Sequence, residues 1–488
     1  MPGGDSQGPT RSSAHVALFG GAFRFPRAAW LNTRHPGGST IGLPKSMPVL
    51  MRIFRMVSFA TACLAALALA QGPPAKPNIV LILADDFGYE CVGANGGQSY
   101  RTPHLDRMAG AGVRFEHCHV QPLCTPTRAQ LMTGRYNIRN YLRFGTLIRS
   151  ETTFAHHLAK AGYATGICGK WQLGREPDSP RHFGFGESFL WQHTRRPPRY
   201  ANPGLERDGK ELDFNSGEYG PDLVNEFAID FIRRNKARPF FLYYPMMLTH
   251  DPYQPTPDSK DWNPKAKGEA VNRKPAHFAD MVAYMDKLIG KLDAALAAEG
   301  IRENTLVLFV GDNGTGKGAT SRFQGKEVKG GKGTTKSTGT HVPLIVNWPR
   351  AVKAGRVNAD LVSSVDFLPT LCEAAGAPAP AGIDGVSFIP QLRGEKGHPR
   401  EWLYTWYSPR QNNNDKVVEY AFDHGHKLYR SGELYDLQKD PLEKDPLPLA
   451  GLSPQAASSS ARLRAALEKF KDARPAELDK RFRESGVD

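Results

Sequence analysis

The residues best placed to do chemistry gather around Cys124. It opens the segment Cys124-Thr125-Pro126-Thr127-Arg128, which runs on to Thr133-Gly134-Arg135. Thr125 is suited to cap a helix and Pro126 to occupy its first position. Cys124 then stands at the positive end of that helix, where an anionic group is favoured. Arg128 follows four residues later, one turn further along the same face. Taken alone, this pattern fits a buried structural cysteine equally well, because free cysteine is often simply buried. His117-Cys118-His119 lies just upstream, but with Cys124 its spacing fits no standard zinc finger and reads as packing near the site. Gly330-Gly331-Lys332-Gly333 looks like a phosphate loop. No glycine stands five residues before its Gly-Lys pair and no Ser or Thr follows the lysine, so the nucleotide reading fails.

Such residues need elements to position them. Asn78–Ala84 is a continuous apolar run of the kind found in buried parallel strands, and it stops at Asp85-Asp86. Thr305–Val310 is a second run, stopping at Gly311-Asp312-Asn313. Pro239–Tyr244 is followed shortly by Thr249-His250, and Tyr163–Cys168 by Gly169-Lys170. Val342–Trp348 is a fifth run. Between them, Asp222–Asn235 and Phe278–Glu299 carry apolar stripes at helical spacing, the second ended by Gly300. Alternating strands and helices predict an α/β fold with a large mixed, mostly parallel sheet sandwiched by helices. Ligands of such sheets bind beyond the carboxyl ends of the strands, where these polar residues would converge. The tail differs. Glu401–Tyr407, Val417–Phe422 and Glu433–Leu437 are short and aromatic, and predict a small antiparallel sheet, with a closing helix over Ser459–Phe470.

The segment from Cys124 to Arg135 resembles the signature of the type I, formylglycine-dependent sulfatases, of the alkaline-phosphatase-like superfamily. The resemblance extends over roughly residues 77–445. Asp85-Asp86 and Asp312-Asn313 resemble the family's two metal pairs, and Gly162 to Gly174 its second signature. Gly331-Lys332 before Val342-Pro-Leu-Ile-Val resembles its late lysine, and Glu433–Leu437 with Asp440-Pro441 its C-terminal ending.

The resemblance implies that a formylglycine-generating enzyme oxidises Cys124 to an aldehyde. One hydroxyl of its hydrate attacks sulfur and expels the alcohol; the second then expels sulfate. It implies one Ca²⁺ at Asp85, Asp86, Asp312, Asn313 and the residue at 124. Oxygen ligands of this kind select Ca²⁺ or Mg²⁺ over zinc. Arg128, Lys170 and Lys332 would offset the remaining negative charge, and His250 is the candidate acid for the leaving oxygen. One position departs from the pattern. Gln172 stands where the family's second signature has histidine. In an extended segment Lys170 and residue 172 point to the same side, so Gln172 is expected to orient an oxygen without titrating.

The chain has 488 residues, 40% of them hydrophobic, enough for a large domain and a smaller one. The expected organisation is a catalytic domain over 71–390 and a small C-terminal α+β domain over 391–488. Met51–Ala70 is basic, then apolar, and ends Ala68-Leu69-Ala70, the order of a secretory signal cleaved before Gln71. Residues 1–50 read as disordered, or as the product of a start codon chosen too early. Export to the periplasm or medium is therefore expected, without a stable membrane anchor.

Of the formal charge of +14, +6 falls in residues 1–70, leaving a moderately basic remainder suited to an anionic partner. The expected partner is a sulfated small molecule or glycan, not nucleic acid. The loops Trp191–Gly209 and Asp258–Ala276 are basic and irregular, so Arg195, Arg196, Arg199 and Lys274 are either readers of further substrate anions or solvated charges. The six cysteines have no disulfide-framework spacing and are expected to be mostly free. Two other functions fit less well: a formylglycine phosphodiesterase or phosphonate hydrolase, and an inactive binder of sulfated glycans.

Overall fold

The computed structural model describes residues 76–268, 273–409 and 416–484. The readings of residues 1–50 and of the Met51–Ala70 signal lie outside the described residues. Ten strands form the main sheet: β1 (Asn78–Ala84), β2 (Val113–His119), β3 (Ala164–Gly169), β4 (Glu187–Trp191), β5 (Gly204–Arg207), β6 (Lys210–Asp213), β7 (Phe240–Pro245), β8 (Thr305–Gly311) and, after a hairpin of β9 (Thr320–Phe323) and β10 (Lys326–Lys329), β11 (His341–Asn347) and β12 (Arg356–Ser363). The order across it is β12-β2-β11-β8-β1-β7-β3-β4-β5-β6. Strands β8, β1, β7, β3 and β4 are mutually parallel, while β11 runs against both neighbours. The sheet is thus mixed and mostly parallel, as expected.

β1 shows why the apolar runs sit at the centre. Ile79, Leu81 and Leu83 enter one core cluster, and Val80, Ile82 and Ala84 the other, all with no exposed surface. Both faces are covered, so every position after Asn78 is apolar, each buried Val, Leu or Ile contributing about 1.5–3 kcal/mol. On one face lie α1 (Pro103–Gly110), α4 (Gly220–Asn235) and α5 (His277–Ala298). On the other lie α2 (Cys124–Thr133), α3 (Phe154–Lys160) and α6 (Phe367–Ala374). The stripe Met281, Met285, Leu288, Leu292 and Leu296 of α5 is buried, and Gly300 follows in left-handed backbone, φ 71°.

The tail forms a four-stranded antiparallel sheet of β13 (Leu403–Tyr407), β14 (Val418–Phe422), β15 (His426–Tyr429) and β16 (Leu434–Asp436). Leu463, Leu467 and Phe470, from α7 (Pro454–Glu468) and just beyond it, pack on Tyr404 and Trp406. Strand β15 and the final helix α8 (Ala476–Glu484) were not anticipated. The five described cysteines, Cys91, Cys118, Cys124, Cys168 and Cys372, are free and buried. Among the described residues, no helix is long and apolar enough to cross a membrane.

Candidate active site

The site is assembled at the carboxyl ends of the central strands of the main sheet. Because β1 and β8 are parallel and in register to Ala84 and Gly311, Asp85 and Asp312 emerge side by side. The amide of Asp86 donates to Asp312 Oδ1 at 3.0 Å, and that of Phe87 to the Asn313 carbonyl at 3.1 Å. Asp86 has φ 60°, a left-handed conformation that aspartate tolerates better than most residues. Thr249, past the end of β7, donates its amide to the Asp85 carbonyl at 2.8 Å.

Cys124 begins α2, all of whose residues are buried. The expected cap needs correcting: Leu123, extended at φ −136° and ψ 157°, is the N-cap, and Cys124 is the first helical residue. Pro126 falls third, which is tolerated because first-turn amides have no intrahelical partner. The Thr125 hydroxyl instead accepts from the Gly145 amide at 3.1 Å. Thr127 takes over the bracing of the entry, its Oγ1 bonding both amide and carbonyl of Gln121. Gly134 ends the helix at φ 66°, which explains the glycine after Thr133.

Three carboxylates and three cations then interlock. Arg128 Nη2 donates to Asp312 Oδ2 at 2.8 Å and lies 3.9 Å from Asp85 Oδ1. Its Nη1 donates to the Lys170 carbonyl at 2.8 Å. Lys170 Nζ meets Asp85 Oδ2 at 2.7 Å, and Lys332 Nζ meets Asp86 at 2.7 Å. Asp85, Asp86, Asp312, Arg128 and Lys170 are buried. Burial alone would raise the carboxyls, but Lys170 holds Asp85 far below the usual range and Lys332 lowers Asp86. Asp312 goes the other way: burial, then the charge of Asp85, pushes it up to about 7. Burial raises the Cys124 thiol despite the nearby Lys170 and Lys332.

Strand direction explains Lys332. It precedes its strand, whereas the other site residues follow theirs. Because β11 is antiparallel to β8, its start lies at the same edge as their ends. The Lys332 amide donates to the Thr315 carbonyl at 3.0 Å, and a Cβ on Gly330 would lie 2.1 Å from the Gly316 carbonyl oxygen. The glycines therefore let two loops pack closely.

His250 Nε2 lies 3.9 Å from Asp86 Oδ2. Its Nδ1 bonds the Asp251 carbonyl, which can only accept, so the neutral ring carries its proton there and leaves Nε2 bare. Burial depresses its pKa to about 3. Gln172 is not in extended backbone: its φ is 59°, so alternation with Lys170 does not apply. Its side-chain oxygen is buried without a hydrogen-bond partner. Of the loop cations, Arg195 pairs with Glu211 and Asp213, and Lys274 with Asp261, at the surface. Arg199 stacks over Trp191, 4.1 Å from the ring, and its charge reaches His250. Arg196 is exposed; desolvation of part of its guanidinium, then the like charges of Arg175 and Arg199, lower its pKa. A cavity of about 590 Å³ opens over Asp86, His250 and Lys332. Arg273 and Lys317 line its mouth and were not singled out beforehand; Arg273 lies in the irregular basic loop, and Lys317 follows the Asp312-Asn313 pair closely.

Asp85 Oδ1 and Asn313 Oδ1 are buried acceptors without hydrogen-bond partners, a condition that costs about 1–3 kcal/mol per group. Asp85 and Asp86 each bring an oxygen within 4.8 Å of the other's and of a His250 ring nitrogen, and Asn313 Nδ2 donates to Asp86 Oδ1 at 2.8 Å. Oxygen donors of this kind fit Ca²⁺.

The model of the Sulfatase family matches residues 77–377, and that of the N-sulphoglucosamine sulphohydrolase C-terminal region residues 333–472. Arylsulfatase A of Homo sapiens is 35% identical over 395 residues, covering 72% of this chain and 74% of that one. N-acetylgalactosamine-6-sulfatase of Homo sapiens is 30% identical over 457 residues, covering 80% and 85%. The crystal structure of Ps i-CgsB in complex with k-i-k-neocarrahexaose superposes with a TM-score of 0.68 at 28% identity, covering 82% of this chain and 94% of that one.

Proposed function

The chain belongs to the sulfatase family and is a sulfuric ester hydrolase; from that premise we propose that it cleaves sulfate monoesters at Cys124, matured to formylglycine. The observation that carries this reading is the interlocked set of three acids and three bases around the Cys124 helix end. Asp85, Asp86, Asp312 and Asn313 would hold Ca²⁺, with the residue at 124 completing the set. The hydrated aldehyde would supply a nucleophilic hydroxyl, and the ion a Lewis acid for sulfate oxygens.

The chain's own residues do the rest. Arg128 fixes Asp312 and the Lys170 backbone together, so the metal-binding and anion-binding halves share one rigid support. Lys170, buried on Asp85, and Lys332, partly exposed on Asp86, carry their ammonium groups on flexible stems that can turn toward the oxygens of an arriving sulfate. His250 enters with Nε2 bare. An anionic ester beside the ring raises its proton affinity, so that Nε2 takes up a proton and then passes it to the leaving oxygen. Gln172 would orient an oxygen through its amide, and cannot titrate.

The substrate we propose is a sulfated carbohydrate, with aryl sulfates also accepted. Lys317 at the cavity mouth supports this reading, and so do the sugar-directed relative and the oligosaccharide-bound neighbour. Export with cleavage near Ala70-Gln71 rests on Met51–Ala70. Peptide mass spectrometry of active enzyme should find an aldehyde at position 124, and Cys124→Ala should have no turnover of aryl sulfate. Full activity with only a thiol at 124 would overturn the mechanism.

A further inference from the structure

Away from the carboxylates, three histidines meet where β2 pairs with the start of β11. His117 and His119 are two residues apart on β2, and His341 opens β11 directly opposite His119. Each offers one ring nitrogen to a group whose atoms all lie within 4.8 Å of one another. The His119 and His341 rings stack at 4.8 Å, and the exposed His424, between β14 and β15, meets His117 edge-on at 4.8 Å. Cys118 points to the opposite face, into the core, so it does not belong to this group.

Hydrogen bonds prepare the rings as ligands. His341 Nε2–H donates to the Glu116 carbonyl at 2.7 Å, leaving Nδ1 with a lone pair. Thr340 Oγ1 donates to the Lys336 carbonyl at 3.4 Å, so it accepts from His119 Nδ1–H at 3.3 Å and leaves Nε2 bare. Backbone and hydroxyl partners of this kind are what orient metal-bound histidines. Three imidazoles without a carboxylate among them select Zn²⁺, Ni²⁺ or Cu²⁺ and reject Ca²⁺.

We propose that His117, His119 and His341 bind a transition-metal ion, Zn²⁺ by preference, at a site separate from the catalytic one. His424 or water completes four-coordination. With bonds near 2.0 Å, tetrahedral nitrogens sit about 3.3 Å apart. His341 is held by Tyr89, stacked on it at 4.1 Å, and the His117 and His119 rings lie within 17° of parallel to it, so binding requires those two rings to turn about their side-chain bonds until their lone pairs meet at one ion. The ion braces two approaches to the active site at once. β2 leads through Val120 to Leu123 into Cys124, and Thr340 closes the loop that carries Lys332. Ligation by His424 adds the C-terminal sheet to the same brace.

The test uses the full mature chain, stripped of transition metals and saturated with Ca²⁺. Co²⁺ titration followed by its ligand-field absorption, and Zn²⁺ titration by calorimetry, should each give one equivalent bound. Zn²⁺ should raise the Tm by several degrees. The site should survive Asp86→Asn and disappear in His117→Gln/His341→Gln. No Co²⁺ binding to the Ca²⁺-saturated chain would overturn the proposal, as would binding that is lost with Asp86→Asn but kept in the histidine variant. Should the histidine variant fail to fold, zinc-edge anomalous scattering from wild-type crystals decides. A peak between the three rings supports the site, and a peak only at the carboxylates refutes it. None of these readouts depends on sulfate-ester turnover, so failure here leaves the sulfatase reading intact.

Discussion

At the residue scale, the most exacting position is Arg128. Its guanidinium is buried and serves Asp312 and the Lys170 carbonyl with different nitrogens. Lysine has one ammonium and cannot make both contacts in that geometry. Arg128→Ala leaves Asp312 buried without its partner, and breaking such a pair costs about 3–5 kcal/mol. Thermal melting should show that loss together with abolished turnover, whereas Arg128→Lys should retain most of the stability and still lose turnover strongly. His250 gives a different signature. If it protonates the leaving oxygen, His250→Ala should slow alkyl and sugar sulfates far more than activated aryl sulfates, whose leaving groups need little protonation. Equal slowing of both would remove His250 from that role. Gln172→Ala should cut turnover by roughly 10²–10³, the usual effect of losing one preorganised hydrogen bond, without moving the pH profile. A shifted profile would show that Gln172 acts through a titrating neighbour.

At the scale of elements, the parts of the site that could be read from sequence are those fixed by local pattern. β1, β3, β7 and β8 are apolar at nearly every position because both faces of the sheet are covered, so their ends and the polar residues beyond them stood out. β2 did not. Val113–His119 alternates buried and half-buried positions and carries Arg114, Glu116 and two histidines, since one face meets the core and the other the His341 side. Without β2, the antiparallel setting of β11 was also invisible, and with it the pairing of His341 with His119, which depends on register between distant segments. β6, Lys210–Asp213, is a charged edge strand with no apolar signal. The loop Trp191–Gly209 was legible only as basic. The fold divides its cations: Arg195 is tied to two acids, while Arg196 Nη2 lies against Gly145, whose amide bonds Thr125 beside Cys124. For a saccharide with a second anionic group, Arg196→Ala should therefore raise KM about tenfold, the effect of one lost charged hydrogen bond of about 1.5 kcal/mol. The same variant should leave a monoanionic aryl sulfate nearly unchanged, and Arg195→Ala should affect neither.

At the scale of the whole molecule, the buried histidines set the response to acid. Burial depresses His250 to about 3 and His341 to about 4; His119 is driven well below its ordinary value by burial and by the facing His341, His117, Lys427 and His424. In the unfolded chain each titrates near 6.5. Between about pH 6.5 and 4 the unfolded state therefore binds more protons than the folded state, and stability rises with pH across that window. Their contribution is fully present above about 6.5 and is lost as the solution is acidified. Asp312 opposes them, because its carboxyl is raised to about 7 in the folded state and so favours folding at low pH. Glu90, Glu151 and Asp286, raised by burial, and His193, raised by Glu206, act with Asp312, whereas His117, His156 and His157 are depressed by burial like the first three rings; six depressed histidines outnumber these five groups and set the sign. Melting in chelator, without Ca²⁺ or transition metal, should show Tm falling steadily from pH 6.5 to 4. Replacing His119 and His341 by glutamine should flatten that slope, since glutamine takes up no proton in either state. An unchanged slope in the double variant would place the acid sensitivity elsewhere. Zn²⁺ at the three histidines should steepen it, because the folded state then gives up its metal as well as facing the protons that compete for the same nitrogens.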